Sequence, residues 1–345
     1  LDIIERFITN PQLTKEEYEK LINRAEDKEA AKLLAEKAMQ IRKQHYGNKV
    51  YTRGLIEFTN YCKNNCHYCG IRCGNKNASR YRLTEEEILE CCREGYRLGF
   101  RTFVLQGGED PYFTDHRMVS LIKMIREGYP DCAITLSIGE KSYESYRLFR
   151  EAGANRYLLR HETANEAHYS HLHPSNMSLQ NRKNCLLWLK ELGYQTGAGF
   201  MVGSPGQKRE HLAEDLVFLN ELKPHMVGIG PFIPHHDTIF ANEKPGSVEL
   251  TLFLLSVVRI LLPKVLLPAT TALGTMAADG RIRGLMAGAN VVMPNLSPLK
   301  NRKRYDLYDN KISTDQEAAE GKESLNRQVR QAGFCLADER GDFAF

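Results

Sequence analysis

The stretch "YCKNNCHYCGIRCGN", residues 61–75, puts Cys62, Cys66, Cys69 and Cys73 within twelve residues. A zinc knuckle, a disulfide cluster and an iron–sulfur centre all draw on such runs. The chain carries nine cysteines, an odd number, and opens on "LDIIERFITNPQLTKEEYEK", which is charged throughout and has no signal-peptide pattern. These features argue against a disulfide framework and set a reducing, cytoplasmic location as the expectation. A zinc knuckle pairs C-x2-C units or completes one with histidine. Only one C-x2-C occurs here, although His67 lies between the thiols. Three thiolates at C-x3-C-x2-C can instead hold three irons of a [4Fe–4S] cluster. The fourth iron then stays open, and an open coordination position marks a reactive metal. A fourth thiolate from Cys73 would close it. Spacing alone leaves zinc and iron–sulfur both open.

Outward from this loop, strand-like and helical patterns alternate. Strand-like runs cover 50–60, 102–108, 133–139, 156–163, 196–203, 226–234, 265–273 and 289–295. Helical patterns such as "TEEEILECCREGYRLG" fall between them, with Gly or Pro at the joints. Eight such units predict an α/β fold, a (β/α)8 TIM barrel, with a six-unit partial barrel as the alternative. The 345 residues suit one barrel with extensions. Residues 1–48 read as an N-terminal helical cap, 49–304 as the barrel, and 305–345 as a polar, helical C-terminal tail packing on the barrel rim. With 47 basic and 43 acidic residues and no run of five like charges, the charges read as solvated faces, not a nucleic-acid surface. The most apolar run, "LTLFLLSVVRILLPKVLLPATTAL", is broken by Arg259, Pro263 and Lys264, so no membrane span is expected.

Chemistry in such a barrel sits at the C-terminal strand ends. Asn60, Gln106, Ser137, Arg160, Glu162, Thr270, Thr271 and Asn295 collect there. Alternation puts Thr135 with Ser137, and Arg160 with Glu162, on shared faces. An arginine and a carboxylate turned into a barrel are costly unless paired or bound to a ligand. A structural ion pair capping the barrel is the plainer use of the second pair.

"CKNNCHYC" is the C-x3-C-x-aromatic-C signature of the radical S-adenosylmethionine superfamily, which the chain resembles. The resemblance implies a [4Fe–4S] cluster held by Cys62, Cys66 and Cys69, with S-adenosyl-L-methionine on the open iron and Cys73 a bystander. It further implies that Gly107, Gly108 and Glu109 of "GGED" meet the methionine ammonium, where a carboxylate and close backbone suit a cation. Glu162 and Arg182 resemble the pair that holds the ribose hydroxyls and the methionine carboxylate. Tyr68, Ser137 and Met201, the last within "TGAGFMVGSPG", complete the expected cofactor contacts.

A narrower likeness runs from about residue 45 to 310. "YCKNNCHYCGIRCGNKNASRYRLT", "VLQGGEDPY", "YLLRHETAN", "TGAGFMVGSPGQ", "MVGIGPFIPHHDT" and "PATTALGT" resemble the HydE family of [FeFe]-hydrogenase maturases. That resemblance implies reductive cleavage of S-adenosylmethionine to a 5′-deoxyadenosyl radical acting on a sulfur-containing substrate, a cysteine-bound iron carbonyl cyanide. It implies an oxygen-sensitive enzyme working with a GTPase scaffold maturase, a tyrosine lyase maturase, and an electron donor such as ferredoxin or flavodoxin. The expected substrate-facing residues are Arg53, Gln106, Thr135, Arg160, Thr270, Thr271 and Tyr308: arginines suit an anion and hydroxyls suit small anions. Many members carry a second cysteine cluster in the tail, whereas "NKISTDQEAAEGKESLN" has no cysteine and Cys335 stands alone. A methylornithine synthase-like radical mutase acting on a free amino acid shares the barrel and the cysteine loop, but "RHETAN" and "PATTALGT" favour the HydE pattern. Biotin synthase would need cysteines on interior strand positions, and Cys91, Cys92, Cys132 and Cys185 are not so placed. A non-catalytic metal-binding interaction module would need a basic, aromatic patch beside the loop, for which "SRYRLT" is the only candidate.

Overall fold

The computed structural model describes residues 2–312, 315 and 317–345; residues 1, 313, 314 and 316, within the expected cap and tail, lie outside the described residues. The chain opens with three helices, Ile3–Thr9, Lys15–Ile22 and Lys28–Tyr46. Thr14 and Glu17 form a capping box at the head of the second, satisfying orphan N–H groups of the first turn. The third buries Ala30, Leu34, Ala38, Arg42 and Tyr46, a stripe four residues apart that meets helix Val248–Leu261. Arg42 donates to the carbonyls of Gly47, Lys49 and Ala289 at 2.8 Å each, so backbone dipoles at the underside of the sheet meet its charge.

Six parallel strands lie side by side in chain order: Gly54–Thr59, Thr102–Gly107, Ala133–Ser137, Arg156–Leu158, Gln195–Ala198 and Met226–Val227. The last two barrel positions are shorter. Residues 265–268 join the sixth strand through the Met226–Leu266 bridge and the eighth through Pro268–Val291. The eighth strand, Val291–Val292, pairs with Lys49–Thr52, and Asn295 bridges Leu55. The sheet therefore returns to its start as a closed parallel ring of eight, the TIM-barrel topology that the alternation of patterns implies. Pro231, Pro268 and Pro294 remove ladder donors in the last three positions, which accounts for their short pairing.

Inward positions alternate along each strand and stack by depth. Val104, Thr135, Leu158 and Met226 line a small inner chamber of about 30 Å³. Gln106, Ser137 and Arg160, two residues further along, line a larger cavity at the C-terminal strand ends. The fifth strand packs closely on the sixth: a Cβ on Gly199 (φ +152°) would stand 1.9 Å from the carbonyl oxygen of Gly228. The tail forms helix Ala318–Gln331 and then strand Cys335–Ala337, parallel to Lys49–Thr52. Its last residues cross the N-terminal end of the barrel, opposite the large cavity. There Arg156 pairs with Asp342 at 2.6 Å, and Thr102 donates to the Arg340 carbonyl at 2.8 Å. Among the described residues no helix is long and apolar enough to cross a membrane.

Candidate active site

The cysteine loop leaves the first strand at Asn60 and is held without regular structure of its own. Arg80 donates to the carbonyls of Asn60, Ile71, Arg72 and Asn75 at 2.5–3.1 Å. One guanidinium thus satisfies four carbonyls that a loop would otherwise leave bare. Further ties run from Lys63 N to Glu109 O and from His67 N to Leu172 O, both 2.9 Å, and from Gly70 N to Leu307 O, 3.0 Å. Gly108 lets the loop sit down on the second strand, because a Cβ there would lie 2.2 Å from Tyr61 O. Arg82 grips Asp110 through two bonds of 2.7 and 2.9 Å. The arginines of "SRYRLT" are thus spent on the fold, which removes the basic patch that an interaction module would need.

Cys62, Cys66 and Cys69 open onto one cavity of about 320 Å³ at the C-terminal strand ends. Cys73 does not line it and is exposed. The expected cofactor contacts Tyr68, Gly107, Gly108, Glu109, Ser137, Glu162, Arg182 and Met201 all line this cavity. Of the expected substrate-facing residues, Gln106, Arg160, Thr270 and Tyr308 line it as well. Three do not. Arg53 and Thr135 border the small inner chamber beneath. Arg53 is buried there, its guanidinium reaching, among the described residues, only Met226 Sδ at 3.5 Å and Gly341 O at 3.4 Å. Thr271 opens helix Thr271–Met276 and faces a separate pocket under helix Ala318–Gln331.

Glu162 is the most constrained of these residues. Its backbone is left-handed (φ +67°), a region that costs a side-chain-bearing residue about 1–2 kcal/mol. Neighbours hold it there on both sides. Glu162 N donates to Gly199 O at 3.0 Å, and Met201 N donates to Glu162 O at 3.3 Å. Asp215 Oδ1 accepts from the imidazole Nε2 of His161 at 3.1 Å and from Ala164 N at 2.6 Å, spanning Glu162 like a clip. Gly199 N donates to His161 Nδ1 at 3.3 Å, so Nε2 carries the proton. Burial pushes the Asp215 carboxyl well above its ordinary range and the His161 imidazole well below. The Glu162 carboxylate reaches Arg160, with Oε2 and Nη2 3.0 Å apart. The angle is poor for hydrogen bonding, and Glu162 Oε2 with Arg160 Nε and Nη2 remain buried without a hydrogen-bond partner among the described residues.

His173, Glu140, Tyr305 and Ile233 contribute without a sequence signal. His173 accepts a hydrogen bond from Tyr68 OH at 3.3 Å while its Nδ1 faces Tyr169 O at 2.9 Å, which fixes the tautomer and the Tyr68 ring. Burial lowers the His173 pKa to about 3, so it stays neutral as an acceptor. Arg182 is anchored by Glu140 at 2.5 Å and by the Arg160 carbonyl at 2.6 Å. Tyr305 and Ile233 also wall the cavity.

The donor set fits the expected groups. The three thiols are free, converge on one cavity and have their pKa values raised by burial, Cys69 to about 12. Such thiols need a metal to release their protons, and metal binding does so. The fourth thiol stands apart, so a cluster held by the other three would keep one iron free of protein ligand. The unpartnered atoms of Arg160 and Glu162 are costly to bury alone and suit a polar ligand.

A family model for the radical SAM superfamily matches residues 56–219. The [FeFe] hydrogenase maturase subunit HydE of Thermotoga maritima is 52% identical over 80% of this chain and 78% of its own length. The 3-methylornithine synthase of Methanosarcina acetivorans is 32% identical over 88% of this chain and 86% of its own. The crystal structure of methylornithine synthase superposes with a TM-score of 0.84 at 31% identity, covering 97% of both chains.

Proposed function

Because the chain belongs to the radical S-adenosylmethionine superfamily, we propose that this enzyme serves [FeFe]-hydrogenase active-site maturation, with a cysteine-bound iron carbonyl cyanide as substrate. The carrying observation is the 52% identity to HydE over 80% of the chain, against 32% to 3-methylornithine synthase. As in the rest of the family, the cofactors are a [4Fe–4S] cluster and S-adenosylmethionine. Together, when bound, they supply one-electron cleavage of the C5′–S bond and hence a 5′-deoxyadenosyl radical. In this reading Cys62, Cys66 and Cys69 hold the cluster. Tyr68, Gly107, Gly108, Glu109, Ser137, Glu162, Arg182 and Met201 orient S-adenosylmethionine. Arg160 offers a cation to the carboxylate or to a cyanide-bearing anion, with Gln106, Thr270 and Tyr308 as hydrogen-bonding neighbours. Burial pushes the Tyr308 hydroxyl up to about 12, so it acts as a neutral donor. Apolar walls from Leu158, Phe232, Ile233 and Leu307 keep water from the reacting atoms. The partners in this reading are the GTPase scaffold and tyrosine lyase maturases and a small electron donor, all in the cytoplasm.

A second reading, a mutase of a free amino acid, draws on the methylornithine synthase superposition across both whole chains. One assay separates the two. Cluster-loaded protein receives dithionite and S-adenosylmethionine, and 5′-deoxyadenosine is measured alone, with the cysteine-bound iron dicarbonyl cyanide, and with lysine. Stimulation by the iron complex, with an adenosylated product, supports the maturase reading. Indifference to the complex together with stimulation by lysine replaces it with the mutase.

A further inference from the structure

Outside the cavity, two imidazoles and three carboxylates gather where two of its walls meet. The loop after the sixth strand, "PFIPHHDT" at 231–238, brings His235, His236 and Asp237; the segment "YDLYD" at 305–309 brings Asp306 and Asp309. One ligand atom each from His235, His236 and Asp309 lie within 4.8 Å of one another. His236 Nδ1 stands 2.6 Å from Asp309 Oδ1, and Asp309 Oδ2 accepts from His236 N at 3.0 Å, which holds that carboxylate beside the ring. His235 Nδ1 accepts from Asp237 N at 3.0 Å. Its Nε2 therefore carries the proton and lies buried beside Gly70, 3.2 Å from Asp306 Oδ2. The two rings stack with centroids 4.4 Å apart. The charges acting on His236 are those of Asp309, Asp237 and Asp306, all negative.

We propose that this cluster binds one divalent transition-metal cation of the Zn²⁺ class, with His235, His236 and Asp309 as ligands and water in the remaining position. Two imidazoles with a carboxylate suit zinc, cobalt or nickel better than magnesium or calcium, which prefer oxygen alone. Each imidazole ligates in its neutral form: His235 keeps its proton on Nε2 beside Asp306 and offers Nδ1 in place of its bond from Asp237 N, while His236 keeps its proton on Nε2 beside Asp237 and offers Nδ1. Bonds of about 2.0–2.2 Å put tetrahedral ligand atoms about 3.3–3.5 Å apart, so His236 and Asp309, now 2.6 Å apart, would open by about 0.8 Å while His235, within 4.8 Å of both, draws in. The His236 and Asp309 side chains are 64% and 31% exposed and have room to make that movement. Such a cation acts as a clamp. Tyr305, Leu307 and Tyr308 from one segment and Ile233 from the other line the cavity, so their outward neighbours, once ligated together, pin two of its walls. The existing bond from Asp309 N to Pro234 O, 3.1 Å, shows the same pairing of segments. The site uses none of the three thiols of the cluster loop.

The test uses cluster-loaded protein, kept anaerobic and dialysed against micromolar Zn²⁺, with zinc and iron quantified together. The expected result is one zinc per chain with iron unchanged, and at least tenfold weaker zinc binding in each of His236→Ala and Asp309→Asn. Retained iron in those variants shows that they fold. Hydrogen exchange across 305–312 is expected to slow with zinc in the unaltered protein and not in the variants. Absent stoichiometric zinc, equal binding in both variants, zinc gained only at the expense of iron, or exchange that ignores zinc would each overturn the proposal.

Discussion

Asp215 touches neither the expected cofactor contacts nor the substrate residues, yet its loss is expected to weaken S-adenosylmethionine binding. In Asp215→Ala the Nε2–H of His161 and the N–H of Ala164 lose their shared acceptor inside a fully buried site. Each buried donor left bare costs about 1–3 kcal/mol, so the variant should lose about 2–6 kcal/mol of stability. The clip that spans Glu162 is lost with it. Relaxation of a left-handed residue releases about 1–2 kcal/mol, which cofactor binding must then restore. The Kd for S-adenosylmethionine should therefore rise about 5–30-fold. Asp215→Asn keeps an oxygen at the Oδ1 position. Because burial favours the neutral carboxyl, the amide is a close substitute, and both stability and affinity should stay near those of the unaltered protein. Urea denaturation and equilibrium binding of S-adenosylmethionine to the cluster-loaded protein provide the two readouts. An alanine variant that is less stable but binds S-adenosylmethionine unchanged would refute the positioning role. An asparagine variant as impaired as alanine would show that a charge, not a neutral hydrogen-bond acceptor, is needed.

Alanine at Cys62, Cys66 or Cys69 should abolish 5′-deoxyadenosine formation, while Cys73→Ala should keep both cluster and activity; loss of iron from the Cys73 variant would redraw the ligand set. Arg53→Met should change stability by no more than about 1 kcal/mol, or raise it, because a buried guanidinium with two weak contacts is replaced by an apolar chain; its KM for substrate should not move, and a tenfold rise would bring Arg53 into the site. Burial pushes Asp342 up, but the charge and hydrogen bond of Arg156, with a further bond from Gln195, outweigh it and hold the carboxyl below its ordinary range. A depressed carboxylate contributes stability above its unfolded pKa of about 4 and loses that contribution as pH falls through the folded value. Hydrogen exchange across 335–345 should therefore rise once the pH drops below about 4, and in Asp342→Asn it should already be raised at neutral pH.

The barrel and the convergence of three thiols on one cavity could be read from the chain because each leaves a local pattern. Thiol spacing is a local property, and inward alternation marks Gln106, Ser137 and Arg160 without a structure. Depth is different: Thr135 shares a face with Ser137, but two residues earlier means one layer lower, in a chamber that the cavity does not include. Arg53 fails for the same reason. Arg160 and Glu162 do meet, though through the left-handed turn at Glu162 and not along a regular strand. Contacts made across the fold left no signal. Nothing in "HET" announces that Asp215, more than fifty residues on, would clip it. Nothing in "ERGDFAF" shows that these residues would cross the barrel underside to reach Arg156.

The decisive experiment is anaerobic reconstitution with iron and sulfide, followed by dithionite and S-adenosylmethionine, with 5′-deoxyadenosine as the readout. A full [4Fe–4S] complement with reductant-dependent 5′-deoxyadenosine, absent from Cys66→Ala, is the expected result. A full cluster with no cleavage of S-adenosylmethionine, alone or with the iron complex or lysine, would contradict the reading of this cavity as a radical active site.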